Sequence, residues 1–326
     1  MLKITAFPRI HISLIGMNDD GYRLNGGIGF SIASPKLVVS FKPAAYIDVI
    51  DKRKNGFSPF ELERLKEHLE LVAGKERFGV GLICLVQEGM IQSHVGFGSN
   101  TMIYLSCVEA LYNLNKREYR EDTIIAMSGR GGTSGIGINT YFKGGFVFDT
   151  GISNLGRRSL APSSVFVSNP QPKPLLFKEL ELPMWDIGIF IPSFVPKTEY
   201  EEMVFFNKNC PINQEAVEPI LYEAVYGVTS ALIEEDFEVF CKSIDAIQRT
   251  KWKSLERNLY GEKLLEAEAI IKEAGAKCVG MSSLGPMLYF FGENVDDIVE
   301  RVKIFLPQCV CFKTIFNNSS RLIEDD

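Results

Sequence analysis

Gly129-Arg130-Gly131-Gly132-Thr133-Ser134-Gly135-Ile136-Gly137 is the stretch on which the reading of this chain turns, and five of its nine residues are glycine. Glycine lets the backbone reach φ > 0 and brings main-chain N–H groups close to a ligand. Successive N–H groups in such turns form a concave anion site. Arg130 adds a planar, permanently charged fork matched to phosphate oxygens, and Thr133 and Ser134 add hydroxyl donors. A glycine-rich turn is usually only a link between two elements. The arginine, threonine and serine inside this one tip the reading toward an anion.

Working outward, Glu121 to Met127 reads as a short helix leading into the stretch, and Gly144-Gly145-Phe146-Val147-Phe148-Asp149 returns as a strand. Upstream, His94-Val95-Gly96-Phe97-Gly98-Ser99-Asn100-Thr101 precedes an apolar helix over Met102–Leu111. A helix N-terminus carries unpaired N–H groups and a positive dipole end, so this second turn also suits a phosphate. An N-cap by Ser99 would account for the serine but not for Gly96 and Gly98 together. The turn lacks the Gly-Lys-Ser/Thr ending of a Walker A loop. A third turn, Val279 to Pro286, holds Ser282, Ser283 and Gly285.

Elsewhere the pattern gives strands over residues 2–50, interrupted by a turn-rich loop from Asn18 to Gly29. Ser58-Pro59-Phe60-Glu61 forms a capping box that opens a helix through Leu62, Leu65, Leu69 and Val72, ended by Gly74. Val80–Val86 is a buried strand, 151–180 a long irregular connection, and Trp185–Ile191 another strand. Lys197 to Gly275 is mostly helical, with Phe237, Phe240, Ile244 and Ile247 as an apolar stripe. Strand Met287–Phe291, helix Val295–Phe305 and strand Val310–Ile315 close the chain.

The chain has 326 residues, 46% hydrophobic and 23% charged, which suits a large core in one domain or two intimately packed ones. The net charge of −6 and the lack of a long basic run speak against nucleic acid. No apolar run reaches membrane-spanning length and the N-terminal residues show no signal-peptide pattern, so a cytoplasmic protein is expected. Seven scattered cysteines, none in a C-x-x-C pair, read as buried reduced thiols.

Three Gly/Ser turns in this order, after Pro8-Arg9-Ile10-His11, resemble the GHMP kinase superfamily. The resemblance to the β-ribofuranosylaminobenzene 5′-phosphate synthase family is closer. It rests on Pro8–His11, Gly26-Gly27-Ile28-Gly29, Gly96–Thr101, Gly129–Gly137, Gly144-Gly145-Phe146 and Ser282–Pro286. It implies an α+β, GHMP-kinase-like two-lobed fold: a lobe of the ribosomal protein S5 domain 2 type over 1–165 and a ferredoxin-like lobe over 166–326. It also implies a decarboxylating phosphoribosyl transfer, in which phosphoribosyl pyrophosphate and an aromatic carboxylic acid (4-aminobenzoate or a relative) give a C-riboside 5′-phosphate, carbon dioxide and pyrophosphate. Mg²⁺ is the expected cofactor, with ligands unassigned, and a homodimer the expected assembly. Carried over position by position, the resemblance makes Arg9, His11 and Arg130 catalytic. It makes Arg23, Gly26, Gly27, Gly96, Gly98, Ser99, Thr101, Gly131, Gly132, Thr133, Ser134, Ser282, Ser283 and Gly285 substrate-binding.

Two other functions compete. GHMP kinases commonly carry Pro-Ser-Gly-x-Asp, and this chain has Gly137 where that aspartate would stand, which counts against an ATP-dependent small-molecule kinase. Asn25, Asn100 and Thr150-Gly151-Ile152 stand where the synthase family has Asp, Gly and Gly-Gly-His, which motivates a non-catalytic binder of a phosphate ligand. Taken residue by residue, Arg9 and His11 share a strand face and read equally as surface arginine and core histidine. Arg23, Arg157 and Arg158 read as phosphate clamps or solvated loop residues, and His94 as ligand or structure. His68 reads as solvated surface. Asp19, Asp20, Glu109 and Asp149 are carboxylates without a metal spacing.

Overall fold

The computed structural model describes residues 1–155, 160–163, 172–194 and 196–325. The expected division at 165/166 and the pair Arg157 and Arg158 lie outside the described residues. In chain order, the first half forms β1 (Leu2–Ala6), β2 (Arg9–Gly16), β3 (Arg23–Ser31), β4 (Leu37–Ala44), β5 (Asp48–Asp51), α1 (Pro59–Glu76), β6 (Gly81–Val86), α2 (Ser99–Leu114), α3 (Glu121–Ser128), α4 (Ile136–Lys143), β7 (Phe146–Asp149) and β8 (Ile152–Ser153). The second half forms β9 (Leu176–Leu180), β10 (Asp186–Ile191), α5 (Glu199–Asn209), α6 (Gln214–Tyr222), a π-helical segment over Glu223–Thr229, α7 (Ser230–Glu234), α8 (Phe237–Gln248), α9 (Lys251–Asn258) and α10 (Glu262–Glu273). It ends with β11 (Cys278–Met281), β12 (Leu288–Phe291), α11 (Val295–Phe305), β13 (Val310–Ile315) and β14 (Leu322–Asp325).

The strands make three sheets. One runs β14-β1-β4-β6-β5, a second β2-β3-β7-β9 with β8 also on β3, and a third β11-β12-β10-β13. The third sheet has a strand, helices, two strands, a helix and a strand in sequence, with the two strands joined by helices at its centre and edge. That order is the ferredoxin-like arrangement the resemblance implied. Phe291 of β12 ties the third sheet to the second: its ring meets Phe240 at 5.0 Å, Phe316 at 5.7 Å and Phe30 of β3 at 6.2 Å. Edge-to-face packing of such rings adds to their burial.

The capping box at Ser58 is present, with Glu61 reaching back to the Ser58 amide. Other local expectations need correction. Helix α1 runs past Gly74 to Glu76 and ends on Arg77 in the left-handed region, because its last turn takes Ala73 and Gly74 carbonyls as partners for the cap amide. The expected loop over Asn18–Gly29 is half strand, since β3 begins at Arg23. Glycine is needed there for close approach: a Cβ on Gly27 would lie 2.7 Å from Ser13 O and 3.1 Å from the His11 ring. Helix α4 starts inside the glycine stretch, on the buried Ile136, Ile138, Tyr141 and Phe142. Strands β9, β11 and β14 were not expected. His68 is not on a solvated face: its Nε2 lies 2.8 Å from Met127 O and its ring packs on Tyr104, and burial lowers its pKa. Cys210 and Cys309 are half-buried free thiols and the other five are buried. Among the described residues no helix is long and apolar enough to cross a membrane.

Candidate active site

The three turns meet in one cleft. Its floor is the N-terminus of α2, where Gly98 is the N-cap, at φ 76°, and no side chain caps the helix. The first-turn amides therefore face the cleft with their dipole end. A Cβ on Gly98 would sit 3.0 Å from Arg9 Nε, so the glycine also makes room for that arginine. The Ser99 hydroxyl turns to Gln92 O, 3.4 Å away, and is not the cap its position suggested. Thr101 Oγ1 accepts from Arg130 Nε at 3.3 Å.

Strand β2 brings Arg9 and His11 to the same cleft. Arg9 donates from Nη1 to Gly96 O at 2.5 Å. Burial and the neighbouring Arg130 charge pull its pKa down to about 10, against the opposing pull of Glu202. Arg130 lies over the Tyr104 ring at 5.6 Å, and burial lowers its pKa too. Two desolvated guanidinium groups thus converge on an uncapped helix end, an arrangement that favours a multiply charged anion. His11 is buried, and burial, Arg9 and Lys253 hold its pKa well below the usual histidine range. It is a neutral imidazole, with Nε2 3.1 Å from Ser134 Oγ and Nδ1 buried without a partner among the described residues.

Gly131, Thr133, Ser134, Ser283 and Gly285 line the cleft with Gly96 and Ser99. Ser282 stands one layer behind. It accepts from the His11 amide at 3.0 Å and donates to Gly96 O at 2.8 Å, so it joins the second and third turns to β2. Arg23 does not line the cleft: Nε and Nη2 donate to Thr150 O and Gly151 O, both at 2.7 Å. Gly26 donates its amide to Thr133 O, and Gly27 backs the His11 ring. Gly132 offers its carbonyl to Asn25 Nδ2, a donor that an aspartate at 25 would lack. These three glycines shape the wall from behind. Asp149 accepts the amides of Gly135 and Gly151, and burial outweighs those bonds to push its pKa up to about 7. Glu109 is buried under Tyr119, Tyr141 and Arg321. Both carboxylates hold the scaffold.

The opposite wall carries no motif legible in the sequence. Helix α5 contributes Glu199, Glu202 and Phe206, and α9 contributes Glu256. His94 joins the walls: its Nε2 is 2.7 Å from Glu61 Oε1 and its Nδ1 is 3.9 Å from Glu202. Burial works to lower the His94 pKa, but Glu202 and Glu61 outweigh it and raise it to about 10. Burial likewise opposes the Glu61 shift, and the bonds from His94 and Ser58 bring that pKa down to about 2. The raised histidine contributes stability that is whole below its unfolded pKa and is lost as pH climbs toward 10. The depressed glutamate contributes above its own unfolded value and loses that as pH falls toward 2. The pair is therefore strongest between about pH 4.5 and 6.5. Imidazole proton resonances of His94 should stay in the charged form through pH 8. His94→Gln should flatten the alkaline side of a melting-temperature profile. A midpoint near 6.5 would break this account.

Glu61, His94 and Glu199 place three ligand atoms within 4.8 Å of one another. They do not fit Mg²⁺. Glu61 is taken by Ser58 and His94, Glu199 by Arg64 Nη2 at 2.6 Å, and the third group is an imidazolium. Mg²⁺ prefers oxygen ligands and keeps several waters.

Two proteins named beta-ribofuranosylphenol 5′-phosphate synthase are similar to this chain. The one from Archaeoglobus fulgidus is 31% identical over 303 residues, spanning 92% of this chain and 91% of that protein. The one from Methanothermobacter thermautotrophicus is 28% identical over 88% of each. Among solved structures, homoserine kinase from Cytophaga hutchinsonii superposes with a TM-score of 0.66 at 13% identity, over 99% of this chain and 97% of its own. L. major mevalonate kinase in complex with R-mevalonate gives 0.66 at 13%, over 98% and 96%. These show the GHMP-kinase-like fold. No family model matches the chain.

Proposed function

This chain belongs to the beta-ribofuranosylphenol 5′-phosphate synthase family, and on that premise we propose that its cleft joins phosphoribosyl pyrophosphate to an aromatic carboxylic acid. The ring carbon bearing the carboxylate attacks C1 of the ribose, pyrophosphate departs, and loss of carbon dioxide restores the aromatic ring. The observation that supports this reading most is the meeting of Arg9, Arg130 and the uncapped α2 N-terminus.

In this reading the pyrophosphate lies at the α2 amides between Arg9 and Arg130. Charge grows on the leaving oxygen as the glycosidic bond breaks, and preformed donors in a dry site stabilise it there. The Ser283–Gly285 turn takes the 5′-phosphate at the other end of the donor. No base is needed at the attacking carbon, because carbon dioxide leaves instead of a proton. His11, neutral, orients Ser134. The relatives' names point to a phenol product, so within the range the resemblance implies, 4-aminobenzoate or a relative, the acceptor would be a hydroxybenzoate. Mg²⁺ would reach the cleft on the donor's pyrophosphate, as part of that substrate.

Calorimetry with phosphoribosyl pyrophosphate and with ATP, each with Mg²⁺, tests the donor. Turnover with a panel of aromatic acids, followed by carbon dioxide and pyrophosphate release, tests the reaction. The expected result is binding of the ribosyl donor, no ATP binding, and equal amounts of the two products. Tight ATP binding with no response to phosphoribosyl pyrophosphate would restore the kinase reading despite Gly137. Chelator should stop turnover while leaving the melting temperature of donor-free protein unchanged, and metal analysis of that protein should find no stoichiometric Mg²⁺. A fall in melting temperature on chelation would point to a resident ion.

A further inference from the structure

The reaction asks for something the arginine wall does not supply. The ring must be electron-rich at the carbon that carries the carboxylate. A hydroxyl or amino group para to that carbon feeds electrons to it, and feeds more when its own proton is held by a carboxylate.

Among the described residues three carboxylates line the cleft: Glu199, Glu202 and Glu256. Glu199 is bonded to Arg64 at 2.6 Å. Glu256 accepts from Trp252 Nε1 at 2.8 Å and from the buried Lys253 at 2.5 Å. Glu202 differs: its nearest charged partner among the described residues is His94 Nδ1, at 3.9 Å, and its charge is felt at both Arg9 and Arg130. Phe206, buried and one helical turn further along α5, shares its face and lines the cleft together with Leu14 and Leu284. That wall pairs an apolar surface for a ring with a carboxylate that still has lone pairs to offer.

Building on the function proposed above, we infer that Glu202 is the acceptor-side residue that takes the hydrogen bond of the ring hydroxyl and so selects aromatic acids carrying such a group para to the carboxylate. As the C1–oxygen bond of the donor breaks and pyrophosphate takes its electron pair, the ring forms the new carbon–carbon bond. The hydroxyl proton moves onto Glu202 and the ring becomes a cyclohexadienone. The bond to the carboxylate then breaks, its electron pair restores the aromatic ring, carbon dioxide leaves, and the phenolate recovers the proton from Glu202. No outside base or oxidant is required.

The test compares the parent protein with Glu202→Gln and Glu202→Asp, using 4-hydroxybenzoate and its more acidic 3,5-difluoro derivative. Donor binding is measured by calorimetry on the same samples. Glu202→Gln should lower kcat/KM for 4-hydroxybenzoate roughly 10²-fold, the scale of a lost proton acceptor, and leave the affinity for phosphoribosyl pyrophosphate with Mg²⁺ at or above that of the parent, because the Glu202 charge it removes acts on Arg9 and Arg130. The deficit should shrink with the difluoro acid, whose hydroxyl ionises without help, and Glu202→Asp should recover part of the rate. Equal losses with both acids would make Glu202 merely structural. A weaker donor complex or a raised Mg²⁺ requirement would move it to the donor side. Either result overturns the inference while leaving the reaction standing. If the parent protein consumes donor with no aromatic acid at all, the proposed function falls and takes this inference with it.

Discussion

Gly285→Ala should weaken binding of the phosphoribosyl donor by about 10²-fold or more. A Cβ at this position would lie 2.2 Å from both the carbonyl carbon and oxygen of Val95 and 2.4 Å from the amide nitrogen of Gly96. All three are backbone atoms, so no rotamer change relieves the clash and the Val95–Gly96 peptide must move. That peptide is the base of the second turn. Val95 O accepts the Met287 amide, and Gly96 O accepts both Arg9 Nη1 and the Ser282 hydroxyl. Overpacking costs about 1–3 kcal/mol, and each buried bond lost adds about 1 kcal/mol. The displaced Arg9 no longer faces the α2 amides, so affinity should fall by about 10²-fold or more, the scale of one or two charge-assisted bonds. Gly74→Ala is the matched control. Nothing lies within 4 Å of a Cβ there and the residue is helical, so alanine should stabilise by roughly 0.5–1 kcal/mol. Calorimetry and melting on the same samples decide the matter. A Gly285→Ala protein with parental melting and full affinity would show that the third turn does not brace the second.

Arg9→Met should lose donor affinity without losing stability. Truncating one member of a desolvated charge pair costs about 2–5 kcal/mol of binding, which is about 30-fold to several thousand-fold. In the free protein the balance runs the other way. Burial and Arg130 both disfavour the Arg9 charge, and Glu202 is the opposing influence. Removing the guanidinium relieves that cost, and the lost bond to Gly96 O partly offsets the relief. The expected signature is a melting temperature at or above that of the parent together with a large rise in Kd. Arg130→Lys should weaken the donor by a smaller amount, on the order of 1.5–3 kcal/mol, because the ammonium keeps the charge but not the fork. An Arg9→Met protein that binds normally would mean the arginine is there for the Gly96 carbonyl alone.

Much of this was legible in the chain. Helix Val295–Phe305 and strand Val310–Ile315 stand where their spacing put them, and the Ser58 capping box opens α1. These are local devices, set by side chains within a few residues of one another. The glycine turns were legible as turns, and their arginine and hydroxyl residues as donors to an anion. What glycine cannot announce is its use. Gly27 serves close packing against a ring inside a strand, whereas Gly98 ends a strand-to-helix turn at positive φ, and both look alike in sequence. Arg23 looked like Arg9 and Arg130, yet the carbonyls of Thr150 and Gly151 take its donors. The acidic wall was illegible for a different reason. Glu202, Phe206 and Glu256 sit in segments whose helical spacing reads as an ordinary amphipathic surface, and the capping box by itself accounts for Glu61. Glu199 pairs with Arg64 and Glu202 faces His94, both far away in the chain, and the glycine turns lie across the cleft. The sequence by itself determined the turns, the caps and the apolar periods, because those depend on neighbours. Only the tertiary placement of α5 and α9 around the cleft that β2 and α2 also line decided which carboxylates share it with two arginines, because that is a matter of residues distant in the chain.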